Sequence, residues 1–262
     1  MPLRSLLFGL LVLPLAAAEL SLDRVVVIGA SVSRGFTASQ PFGGEKASRL
    51  RLDRYLDAAL TAEHGPIVND ANHLLFQSAE TEAKRQLARL QKRDPTVVVA
   101  LDFLFWFLYG EPSNTGDRLR LFDRGLELLA EIECPLVIGD IPDASAAIGH
   151  MLSAPMVPDA ATRSEANRRL GDWARVRPWV SIVPLSRFMG SAQRNEEIRL
   201  GDQTWPAGRS RELLQPDRLH PGPEGCTALA LAVLSSLQSH GLPKTAVEWR
   251  PERVLREALP KP

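Results

Sequence analysis

The sequence is short of most features that would mark a specialised binding surface. Lys plus Arg and Asp plus Glu each number 31 among 262 residues, so no net field draws the chain to nucleic acid or to an anionic membrane surface. No Cys or His cluster has metal-ligand spacing, and no metal site is expected. Neither of the two tyrosines, Tyr55 and Tyr109, has a lysine four residues on, which removes a Tyr-x-x-x-Lys proton-transfer pair. There is no internal repeat and no low-complexity tract, and 45% apolar residues suffice for one sizeable core.

Long apolar runs are also missing. The one candidate, Leu6 to Ala18 in "MPLRSLLFGLLVLPLAAAE", is shorter than the ~20 residues needed to span a bilayer. It follows an early cation, Arg4, and closes on Ala16 and Ala18, the layout of a signal peptide cut after Ala18. Residues 1–18 are therefore expected to be a leader and 19–262 a single exported domain, periplasmic or secreted, with no membrane span in the mature chain. Export permits disulfides, but Cys134 and Cys226 are expected to stay apart. One lies at the start of a strand and the other beyond the strands' opposite ends. About 20 Å separates those ends, against the ~4.4–6.8 Å between α-carbons that a disulfide needs.

What the chain does have is alternation. Apolar strand-like runs at 24–28, 67–69, 96–101, 136–139 and 179–185 are separated by segments of helical period. One example is "EKASRLRLDRYLDAALTAEHGP", with Leu52, Tyr55, Leu56, Ala59 and Leu60 on one face. Five near-continuous apolar strands alternating with helices predict a parallel sheet covered on both faces, a three-layer α/β/α fold of flavodoxin-like type. A small hairpin is expected around Gly201-Asp202, and a short surface helix in the tail. Ligands of such sheets sit beyond the carboxyl ends of the strands, which directs attention to the residues that follow each strand.

After the first strand comes "IGASVSRG". A dinucleotide turn fails here by one residue, since Ser31 and Ser33 stand where glycines would be required, and no cofactor is expected. A serine nucleophile needs an imidazole to take its proton and a carboxylate to fix the imidazole's tautomer. "QPDRLHPGPEG" carries both, with Asp217 and His220 spaced so that a short turn brings the carboxylate to the ring.

These two stretches resemble the SGNH, or GDSL, hydrolase superfamily of esterases and lipases. "IGASVSRG" is similar to its G-D-S-x-x-x-G block, with Ser31 at the nucleophile position, and "DRLHPGPEG" is similar to its D-x-x-H-P block. The resemblance implies a five-stranded parallel sheet, a Ser31–His220–Asp217 triad and hydrolysis of carboxylic esters, acyl or acetyl. The substrate class is a small-molecule, glycan or lipid ester. Acyl transfer on the same triad and a catalytically silent ligand- or glycan-binding domain stay open as alternatives. Ala30 departs from the block's aspartate. Asp102 and Leu104 stand where the family supplies a glycine and an oxyanion-binding asparagine, and no glycine follows the second strand.

The oxyanion is then left to the Ser31 backbone N–H and, by position, to Asn72. Phe103, Phe105 and Trp106 follow the third strand and either line an acyl pocket or plug the core. Asp140 and Asp143 read as turn and cap residues, and His73 as a surface or core histidine rather than a site residue. The rate is expected to fall as His220 takes up a proton in acid.

Overall fold

The computed structural model describes residues 20–111, 114–200 and 203–259; the leader expected at 1–18 lies outside them. Five strands form one sheet: β1 (Val25–Val27), β2 (Val68–Asn69), β3 (Val97–Ala100), β4 (Leu136–Gly139) and β5 (Val180–Val183). Their order is β2-β1-β3-β4-β5, and every pairing is parallel. Each strand falls within the apolar run that announces it. β1, β3 and β4 are buried along their whole length, which is why they read as runs without a polar residue rather than as alternation.

The helices are α1 (Ser31–Arg34), α2 (Glu45–Ser48), α3 (Leu52–Ala59), α4 (Ala79–Arg93), α5 (Phe105–Leu108), α6 (Thr115–Leu129), α7 (Ala160–Arg175), α8 (Leu185–Arg194), α9 (Pro223–Leu237) and α10 (Pro251–Ala258). α4, α6 and α7 pack side by side, while α3, α9 and α10 form a second group, giving the three-layer α/β/α arrangement.

α9 is buried without a break from Gly225 to Leu234. It packs against β4 and β5 and is covered by α3 and α10, so its "CTALALAV" run is apolar on every side. α10 supplies part of that cover by burying Val254 and Ala258. The tail thus adds a piece of the outer layer, where the sequence reads only as a surface helix. The hairpin is present as β6 (Ile198–Leu200) and β7 (Gln203–Trp205), antiparallel; its turn at 201–202 lies outside the described residues. Cys134 and Cys226 are both free.

The chain leaves β1 in one direction to make β2, then crosses back over β1 to make β3. The reversal opens a crevice beyond the carboxyl ends of β1 and β3. Ser31 follows β1 into that crevice, and Asp102 follows β3.

Candidate active site

The turn after β1 is built around a carboxylate from the neighbouring strand. Asp102, 6% exposed, accepts hydrogen bonds from the backbone N–H of Ala30 (3.0 Å) and Val32 (2.7 Å) and from the Ser33 hydroxyl (2.6 Å). Ser31 sits between these anchored residues, and its own N–H has no acceptor among the described residues. Gly29 makes the close approach possible. Its φ is +140° and an added Cβ would lie 2.3 Å from Asp102 Oδ1. The buried Gln86 of α4 grips the backbone on both sides of the Gly29 Cα, its Oε1 accepting Gly29 N–H (2.8 Å) and its Nε2 donating to Gly29 C=O (3.0 Å). Asp102 therefore brings to this turn the carboxylate that Ala30 lacks.

The second half of the site is the turn at 217–220. Asp217 Oδ1 accepts the backbone N–H groups of Leu219 and His220, both at 3.0 Å. Its Oδ2 lies 2.8 Å from His220 Nδ1. Arg218 adopts a left-handed conformation, φ +60°, at a strain of roughly 1–2 kcal/mol, and so folds the carboxylate back onto the ring. His220 Nε2 then lies 2.8 Å from Ser31 Oγ. With Nδ1–H directed to Asp217, Nε2 carries the lone pair that faces the serine hydroxyl.

Burial opposes the charged form of Asp217. The hydrogen bond and charge of His220, with the two backbone donors, outweigh that opposition and leave its pKa below the ordinary value. Phe36 stacks on the imidazole with ring centroids 3.9 Å apart. Gln215 Nε2 donates to both Phe36 O (2.8 Å) and Pro221 O (2.9 Å), tying the two loops together.

Two cavities meet at Ser31. The narrower, about 50 Å³, runs under the ends of β3 and β4 between Phe105, Ile141, Leu185, Phe188 and Met189. The wider, about 240 Å³, is walled by Phe36, Phe42, His73, Phe76, Met151 and Met156. Trp106 and Leu219 border both. Of the three aromatic residues offered as pocket walls, Phe105 and Trp106 take that place. Phe103 does not: it is wholly buried and stacks on Phe107 at 5.7 Å. It lies in the turn at 101–104, every residue of which is buried.

Asn72 is engaged elsewhere. Its Nδ2 donates to Glu82 Oε1 (3.0 Å) and its Oδ1 accepts Leu74 N–H (3.0 Å), so the amide is turned toward α4 and caps the short 3₁₀ turn at His73–Phe76. Leu104 is buried and has no hydrogen-bonding side chain to offer. Asp140, at the end of β4, accepts Ser186 N–H (2.6 Å) and the Ser186 hydroxyl, the capping role its sequence context suggests; burial raises its pKa. Among the described residues no three His, Cys, Asp or Glu side chains gather as they would around a metal ion.

No protein-family model matches the sequence, and comparison with curated proteins finds no relative. Solved structures do resemble it. A lipase/acylhydrolase from Enterococcus faecalis superposes with a TM-score of 0.56 at 15% identity, over 87% of this chain and 98% of that one. A catalytic mutant of Axe2, an acetylxylan esterase from Geobacillus stearothermophilus, gives 0.54 at 16% identity, over 88% and 98%. A putative GDSL-like lipase from Parabacteroides merdae gives 0.51 at 14% identity, over 86% and 100%. The fold is the three-layer α/β/α fold of the SGNH, or GDSL, esterases and lipases.

Proposed function

We propose that the protein is an exported, cofactor-free serine esterase acting on short-chain carboxylic esters. The observation that supports this most is the hydrogen-bonded line from Asp217 Oδ2 through His220 to Ser31 Oγ, two links of 2.8 Å each, ending where both cavities open. Ser31 Oγ attacks the ester carbonyl while His220 Nε2 takes its proton. The tetrahedral intermediate collapses, His220 returns the proton to the leaving alcohol, and an acyl-Ser31 remains. Water repeats the sequence with His220 again as base, and the acid is released. Asp217 holds the imidazole in the required tautomer and stabilises its charged form.

The narrow cavity argues for a short acyl group. About 50 Å³ is room for only a few heavy atoms, since a single water takes about 10–15 Å³ on the same measure. The wider apolar chamber suits the alcohol portion. Export rests on the leader at residues 1–18, and no described helix is long and apolar enough to cross a membrane. The test is hydrolysis of 4-nitrophenyl acetate, butyrate and octanoate by the purified protein beside Ser31→Ala. The reading expects acetate or butyrate to be fastest and Ser31→Ala to fall to background. Equal rates for the two folded proteins would refute it.

A further inference from the structure

The site as described supplies one visible oxyanion donor, the Ser31 N–H. The strand ends that carry others in this fold hold Asp102, which is engaged in the nucleophile turn, and Leu104, which is apolar. Loss of a single donor typically costs about 10²–10³ in rate, so a working enzyme of this kind needs a replacement.

His73 has the features of one. Its Nδ1 is the single buried side-chain nitrogen or oxygen without a hydrogen-bond partner among the described residues, a state that calls for an explanation in a folded protein. Its Nε2 also makes no hydrogen bond among those residues, but unlike Nδ1 it is not sealed from solvent. The ring walls the same cavity as Ser31 Oγ and His220. Its position is fixed: Asn72 caps the turn that His73 begins and is itself held by Glu82. Phe36 meets the His73 ring edge-on at 6.2 Å and stacks on His220 with its face.

We propose, resting on the esterase reading above, that His73 donates a hydrogen bond from Nε2–H to the substrate's carbonyl oxygen as it becomes an oxyanion. A buried N–H without an acceptor is rarer than a buried lone pair without a donor, so the sealed Nδ1 is the unprotonated nitrogen and the proton lies on Nε2. Burial and then the nearby Arg34 lower the His73 pKa, with His220 adding to them and Asp102 opposing; the ring stays neutral with one N–H to give. As the bond from Ser31 Oγ to the carbonyl carbon forms, the Oγ proton passes to His220 and the carbonyl π pair moves onto oxygen. That oxygen accepts from Ser31 N–H and His73 Nε2–H. His73 keeps its proton throughout, and collapse of the intermediate returns the pair to the carbonyl.

The experiment compares wild type, His73→Phe, which keeps a ring but has no donor, and His73→Gln, which restores one. Two rates are read: ester kcat and KM, and phosphonylation of Ser31 by a fluorophosphonate, whose P=O oxygen occupies the same position. We expect His73→Phe to lower kcat and the phosphonylation rate by about 10²-fold with KM within about threefold, and His73→Gln to recover at least about tenfold of that loss. If His73→Phe does not fold, His73→Ala takes its place. Wild-type rates in the donor-less variant, or a folded Gln variant as slow as Phe, overturn the role of His73 alone. Absence of phosphonylation in wild type overturns the esterase reading and this inference with it.

Discussion

Asp102 accepts the backbone N–H of Ala30 at 3.0 Å across 72 residues of sequence, and through that bond the end of β3 shapes the turn that presents Ser31. The same carboxylate holds Val32 and Ser33, leaving the Ser31 N–H as the one unclaimed amide of the turn among the described residues. Asp102→Asn turns one acceptor oxygen into a donor facing groups that themselves donate. The expected outcome is a loss of about 2–4 kcal/mol in urea unfolding, from buried donors left unpaired at about 1–3 kcal/mol each. Ester turnover should fall by more than the unfolded fraction accounts for.

Gln86 offers an independent check on the same turn. Gln86→Leu keeps the volume of the side chain but leaves Gly29 without its partner amide. A stability loss of about 2–3 kcal/mol is expected, measurable as a lower urea midpoint with an unchanged slope. A loss under about 0.5 kcal/mol would show that the clamp contributes little.

Trp106 borders both cavities, so its truncation joins them. Trp106→Ala should raise the ratio of octanoate to acetate hydrolysis by about tenfold or more, the scale set by one or two methylenes in an apolar pocket. An unchanged ratio would mean that the acyl chain lies elsewhere.

Acid stability follows from two histidines. Burial lowers the pKa of both His73 and His240 from 6.5, so between that value and the lower folded one the unfolded chain binds more protons than the native protein. Stability contributed by the neutral rings is complete above pH 6.5 and is lost as the pH falls through the folded values. The melting temperature should therefore decline below pH 6.5, and His73→Phe should flatten that decline. An equal slope in the variant would contradict the assignment to His73.

Much of this was legible in the sequence for a physical reason. Parallel strands buried on both faces write themselves as runs such as "VVVIG", and the Asp217–His220 pairing is closed within four residues. What was not legible depends on distant contacts. Asp102 looked like a lost glycine because its partners lie 72 residues away. Asn72 looked available because Glu82, which holds it, is one helix further on. Gln86 did leave a trace, as a polar residue on the apolar stripe of α4 with Ala83, Leu87 and Leu90. Phe103 and Trp106 could not be told apart without the turn that sends one inward and the other to the cavities.

The most direct test of the central claim is fluorophosphonate labelling of the purified protein, with the adduct located by peptide mass spectrometry in wild type and in His220→Ala. An activated serine predicts an adduct on Ser31 that His220→Ala abolishes or slows by several orders of magnitude. No adduct on folded wild type, or one that forms equally fast without His220, would contradict it and favour a silent binding domain on the same fold.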